Sequence, residues 1–395
     1  MDIRLSSRVS SVRPSPTLAV TARAAELKRQ GKDIVSLGAG EPDFDTPEPI
    51  KDAAKLALDR GFTKYTAVGG TPELKAAVAA KFARDNGLQF SASQILVSVG
   101  GKQSFFNLCQ ALLNPGDEVI IPAPYWVSYP DMVLLAEARP VILETDISVH
   151  FKISAEQLAA AITPRTRLLV LNSPSNPSGM AYSREELAAL GEILRAHPGI
   201  LIASDDMYEK ILFGAAPFVN IANACPDLLP RCIILNGVSK AYAMTGWRIG
   251  YCAGPSALIA AMETVQSQST SNPCSIAQAA AQSALESGDS LLTPMLQAFA
   301  RRHQYVYDRL RSFPGVTVLP SAGTFYSFPN VQGVMQTRGI ESDLQLAEQL
   351  LEAGVAVVPG SAFGCPGHLR LSFATSDENL RLALDRIGAY ITAPA

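Results

Sequence analysis

Seven short apolar runs recur between residues 94 and 254: QILVSVG (94–100), EVIIPAP (118–124), PVILET (140–145), RLLVLNSP (167–174), ILIASDD (200–206), CIILNG (232–237) and RIGYCAG (248–254). Runs this short that are apolar almost throughout are strands covered on both faces. Amphipathic stretches lie between most of them. SREELAALGEILRAHPG opens on Ser183, with Glu186 three residues on, which is a capping box. Ahead of the first run, PEPIKDAAKLALDRG and TPELKAAVAAKFARDNG each carry Pro near the start, Lys or Arg towards the end and Gly just after, so both predict helices. Strand–helix alternation of this kind predicts an α/β fold built on a doubly wound, mostly parallel, seven-stranded sheet.

The pattern changes near residue 290. A long polar helix candidate, LTPMLQAFARRHQYVYDRLRSF, is followed by shorter alternating runs: VTVLP, TFYSFP, VAVVPG and LRLSFAT. The expected organisation is a large α/β domain over 47–289 and a smaller α+β domain over 290–395. Residues 1–46 hold one strand-like run, DIVSLGAG, and are expected to pack with the small domain.

Composition narrows the function classes. Of the 395 residues, 48% are hydrophobic and 17% charged, enough apolar side chain for a large folded core. The net charge is −3 and no Lys/Arg block stands out, which argues against nucleic acid or an anionic membrane as the main partner. No apolar run approaches membrane-spanning length, and MDIRLSSRVSSVRPSP has no signal-peptide core. Cys109, Cys225, Cys232, Cys252, Cys274 and Cys365 form no Cys-x-x-Cys pair and read as reduced thiols of a cytoplasmic protein. Four histidines (150, 197, 303 and 368) have no metal-ligand spacing, so no metal site is expected and they read as structural or solvated.

Ligands of open α/β sheets bind at the carboxyl ends of the strands. Polar and aromatic residues collect there in this chain. Gly100-Gly101-Lys102 follows the first run, Tyr125 and Trp126 the second, and Asn176 stands in the NSPSNPSG cluster after the fourth. Asp205, Asp206 and Tyr208 follow the fifth, Lys240 the sixth, and Arg248 opens the seventh. Each alone has a plain reading. A Gly pair is a tight turn, a lone Lys is solvated, and a Trp is core. Together they suit pyridoxal 5'-phosphate. That cofactor needs a lysine for its aldehyde, a carboxylate at its ring nitrogen, donors at its phenolate, an anion site for its phosphate and a ring to stack on.

LGAGEPDFDTP, KYTAVGGTPELK, GGKQSFFNL, PYWVSYP, NSPSNPSG, SDDMYEK, NGVSKAYAMTGWRIGY and HLRLSFATSDENL carry a resemblance along almost the whole chain. The sequence resembles the class I aminotransferases of pyridoxal-phosphate fold type I, nearest to the bacterial branch of aspartate and prephenate aminotransferases. The resemblance implies a homodimer with shared active sites that passes the amino group of aspartate to 2-oxoglutarate by a ping-pong route, with prephenate as a further substrate. It implies Lys240 as the cofactor-bearing lysine and proton carrier, Asp205 at the ring nitrogen, and Tyr208 and Asn176 at the phenolate. Trp126 would stack on the ring, Gly101, Lys102, Ser239 and Arg248 would hold the phosphate, and Tyr65 would reach the phosphate of the neighbouring subunit. Arg370 and Gly40 would take the substrate α-carboxylate, with Trp126 and Asn176 beside it. Lys102 would take a second carboxylate, and Thr17 stands at a position associated with prephenate.

The chain departs from the wider family at three places. Gly237 replaces a frequent serine, Asp206 replaces the usual Glu, and SQSTSNPCSIAQ has no match for the distal arginine of animal-type aspartate enzymes. Other amino donors, a β-lyase or a decarboxylase of the same fold stay open at this point, because the bond broken depends on its alignment with the cofactor ring. A nicotinamide dehydrogenase is disfavoured: in GAGEPD the third glycine of the dinucleotide fingerprint is Asp43, between Pro42 and Pro47. A cofactor-sensing regulator would carry an added DNA-binding domain, which this chain is expected to lack.

Overall fold

The computed structural model describes residues 3–12, 14–214 and 216–393. The seven runs form one sheet: β1 (Ile95–Ser98), β2 (Glu118–Pro122), β3 (Arg139–Leu143), β4 (Thr166–Asn172), β5 (Leu201–Asp205), β6 (Cys232–Gly237) and β7 (Gly250–Ala253). Their order is β1-β7-β6-β5-β4-β2-β3. β2 to β6 run parallel, and β7 runs antiparallel to both β1 and β6.

Alternate strand residues face two separate apolar layers, which is why the runs read as continuously apolar. Val97, Ile120, Leu169, Leu171, Ile202 and Ile234 pack with Leu74, Val78, Leu187 and Leu190 of the helices Pro72–Lys81 and Arg184–Arg195. Leu96, Val119, Val170, Ala203 and Leu235 pack with Phe105, Leu108, Met132 and Ile259 on the other side. The capping box at Ser183 and Glu186 forms as its spacing requires. The helix from Pro72 ends differently from expectation. It stays α-helical to Lys81 and then widens into a π-helical turn over Phe82–Asn86.

A second apolar cluster gathers residues from the helices Thr293–Leu310 and Asp377–Thr392 and from the short strands near the C-terminus, together with Val35 and Leu37. Val35–Ser36 pairs parallel with Val355–Ala356, so the early strand-like run does pack among C-terminal elements. The strands Tyr326–Ser327, Val358–Pro359 and Leu369–Ser372 make a small antiparallel sheet. VTVLP does not become a strand. Pro320, its last residue, lacks a ladder donor, and the run makes one bridge, between Thr317 and Asn330. No helix among the described residues is long and apolar enough to cross a membrane.

Candidate active site

Every site residue singled out in the sequence except Tyr65 lines one cavity of about 330 Å³. β5 ends on Asp205 and β6 runs into the loop of Ser239 and Lys240, so the parallel sheet itself sets these groups side by side. Thr17 and Gly40 enter from the N-terminal segment, and Arg370 from the strand Leu369–Ser372.

Lys240 Nζ donates to the Gly40 carbonyl at 2.6 Å. Burial and the positive charge of Arg248 push its ammonium down to about 8, with Arg370 adding to the effect and Glu41 and Asp205 opposing it. Asp205 accepts from the Tyr129 hydroxyl, and from the Met207 amide at 3.2 Å. Burial nevertheless raises its carboxyl above the ordinary range, outweighing these hydrogen bonds and the charge of Lys240. Arg370 is the opposite case. It is buried, Nη1 donates to Asn176 Oδ1 at 2.9 Å, and Nη2 donates to the Gly38 carbonyl at 2.8 Å. Its Nε has no partner among the described residues, and burial lowers its pKa. The guanidinium lies 4.4 Å from the centre of the Tyr326 ring and 5.0 Å from that of Phe363.

Tyr208 is buried, and its hydroxyl meets that of Tyr326 at 3.1 Å. Gly40 sits against the same tyrosine, since an added Cβ would lie 2.9 Å from Tyr326 Oη. Gly101 opens the helix Gly101–Leu112, whose first amides have no earlier helical carbonyl to pair with. Arg248, in left-handed backbone geometry at φ 56°, donates to the Thr245 carbonyl at 2.8 Å and packs so closely on Gly100 that a Cβ there would overlap its guanidinium. Amides and guanidinium together make an anion cradle at the end of β1. Gly237 is likewise a packing requirement: a Cβ would come within 3.2 Å of the Gly250 Cα and of Met207. Asp206 points away from the cavity chemistry, held by Ser204 at 2.7 Å and Asn220 at 2.6 Å.

Tyr65 is 92% exposed and lies outside the cavity of its own chain. Two cavity-lining residues were missed in the sequence: Tyr129 and Tyr326. The Tyr129 ring packs edge-on to Trp126 at 5.1 Å and against Phe105 at 4.9 Å. The three-residue spacing from Trp126 was the available signal, since it puts both rings on one side of a turn. Tyr326 gave no local signal, because its partners Tyr208 and Arg370 are distant in sequence.

The model of the class I and II aminotransferases matches residues 32–387. The chain belongs to that family. A curated relative from Nitrosomonas europaea named aspartate/prephenate aminotransferase is 60% identical over 99% of this chain and 100% of its own length. The aspartate aminotransferase of Geobacillus stearothermophilus is 50% identical over the full length of both chains. The solved aspartate aminotransferase of Rhizobium meliloti superposes with a TM-score of 0.95 at 50% identity, covering 99% of each chain. That of Thermus thermophilus with maleate gives 0.92 at 45% identity, covering 99% of this chain and 100% of the other. The fold of this aminotransferase is therefore that of its family along nearly the whole chain.

Proposed function

We propose that this aminotransferase uses pyridoxal 5'-phosphate to move the amino group of L-aspartate to 2-oxoglutarate, in a cytoplasmic homodimer with shared active sites. One observation carries the reading. A single cavity holds a buried carboxylate and a buried guanidinium, neither in an ion pair among the described residues, and a lysine brought down to about 8 by burial and Arg248. Uncompensated buried charge is costly unless a ligand supplies the opposite sign. A protonated pyridine ring suits Asp205, and an amino-acid carboxylate suits Arg370, whose fork takes a carboxylate bidentately. The cradle of Gly101, Arg248 and Ser239 suits a phosphate, and the cofactor so held acts as the electron sink for the amino acid's α-carbon.

The chain's own groups supply the rest. Tyr129 keeps Asp205 aimed into the cavity by its hydroxyl bond. Asn176 and Tyr208 offer polar atoms at the cavity wall beside Arg370 and Tyr326. At pH 7.5 an amine with its pKa at about 8 is about one-quarter neutral, against about one in a thousand for an ordinary lysine. Lys240 can therefore act as a nucleophile towards a carbonyl and carry a proton to and from the α-carbon. Trp126 presents its ring to the cavity, and Lys102 stands at the rim for a second carboxylate.

Prephenate is a further acceptor on this reading, supported by Thr17 in the cavity wall and by the names of the Nitrosomonas europaea and Cereibacter sphaeroides relatives. The bodies that enclose the cavity are taken as 47–289 and 290–395, the latter with 1–46. Initial rates against L-aspartate at several fixed 2-oxoglutarate concentrations test the function. Parallel double-reciprocal lines are expected, and intersecting lines would exclude the ping-pong route. Prephenate replacing 2-oxoglutarate should sustain turnover.

A further inference from the structure

Lys102 is exposed at the cavity rim, where a lysine ordinarily sweeps through solvent. Its ammonium is instead held in place. Nζ donates to Ser128 Oγ at 3.0 Å and lies 5.1 Å from the centre of the Trp126 ring. Ser128 is buried and begins the helix Ser128–Leu135, so its hydroxyl is a fixed point behind the cavity rim.

We propose that Ser128 is a positioning residue for substrate specificity. Its hydroxyl and the Trp126 face hold the Lys102 ammonium where the second carboxylate of a dicarboxylic substrate arrives. This rests on the reading above in which Lys102 meets that carboxylate, and adds the residue that makes it effective. A lysine ordered before the substrate binds does not have to be ordered by it, so the gain goes to substrates that use the charge. Partial burial and the neighbouring Arg248 lower the Lys102 pKa, with Asp131 opposing. The ammonium thus sits where an arriving carboxylate is favoured.

The test is a double-mutant cycle on the cofactor-loaded enzyme, using Lys102→Met, Ser128→Ala and the pair. Maleate, a non-reacting dicarboxylate, is titrated by calorimetry. Single-turnover rates are then read with L-aspartate and with L-2-aminobutyrate, which lacks the second carboxylate. Ser128→Ala should raise the maleate Kd about five- to tenfold, on the scale of one typical intramolecular hydrogen bond. It should slow aspartate by a similar factor while leaving 2-aminobutyrate within about twofold, and should add nothing in the Lys102→Met background. A maleate Kd raised by Lys102→Met but untouched by Ser128→Ala would overturn the role of Ser128 alone. So would a Ser128→Ala effect that persists without Lys102, or that falls equally on both amino acids. A maleate Kd unchanged by Lys102→Met would instead remove Lys102 from the carboxylate site, and the proposal with it.

Discussion

At the scale of single residues, the cavity is marked by charged groups that burial leaves without an ion pair among the described residues. Arg370 shows this most clearly, with Nη1 and Nη2 occupied by Asn176 and Gly38 and Nε left over. A lysine there keeps the charge and loses the planar fork, so Arg370→Lys should raise KM for every amino donor by at least about tenfold. Steady-state kinetics with two different donors would show it, and an unchanged KM would take Arg370 out of substrate binding. For Lys240 the pH dependence has a definite sign. The neutral amine is the reactive form, and it accumulates as pH rises through a pKa of about 8. Capture of pyridoxal 5'-phosphate by cofactor-free enzyme should therefore accelerate from pH 6.5 and level off above about pH 8.5. A rate still climbing at pH 10 would mean an ordinary lysine. The cation, carboxylate and rings of the site were legible in the sequence because strand ends in such a sheet face one crevice. Tyr129 and Tyr326 were not, since their contacts with Asp205 and Tyr208 run across separate elements.

At the scale of elements, the turn after β5 is held from below as well as from the cavity. Lys81, at the end of its α-helix, and Asn86, five residues on across the π-helical turn, both reach Glu209 next to Tyr208. Asn236 of β6 donates to the same carboxylate at 2.8 Å. Lys81 and Glu209 are 2% and 6% exposed, so the ion pair is buried. Lys81→Met leaves the carboxylate without its cation and should destabilise the protein by about 3–5 kcal/mol. Denaturant unfolding of the variant measures this, and a loss below about 1 kcal/mol would mean that the two amides satisfy Glu209 unaided. The helix from Pro72 was readable from its caps. The π-turn was not, because the sequence periodicity runs through it. VTVLP failed in the opposite way. It has strand-like residues, but it ends on Pro320 and pairs only through Thr317.

At the scale of the molecule, Tyr65 stands exposed, outside the cavity of its own chain. If it completes the site of a neighbouring subunit, a hybrid dimer of one Lys240→Ala chain and one Tyr65→Ala chain contains one intact site. It should recover about half of the wild-type activity from two weak parents. No recovery in the purified hybrid would place Tyr65 outside the partner's site. The large sheet was legible almost strand for strand, because parallel strands buried on both faces write an unbroken apolar signal. The smaller sheet was less so, since two of its three strands have only two residues.

Lys240, Asp205 and Arg370 line one cavity, on our proposal the site that takes the amino group of aspartate onto a bound cofactor. The visible absorption spectrum of the purified enzyme, before and after excess L-aspartate with no 2-oxo acid present, tests it most directly. The band of the lysine-linked cofactor should disappear and the shorter-wavelength band of the aminated cofactor should grow, then reverse on adding 2-oxoglutarate. A cofactor band unmoved by aspartate would contradict the assignment of substrate. No band at all after adding pyridoxal 5'-phosphate would contradict the site itself.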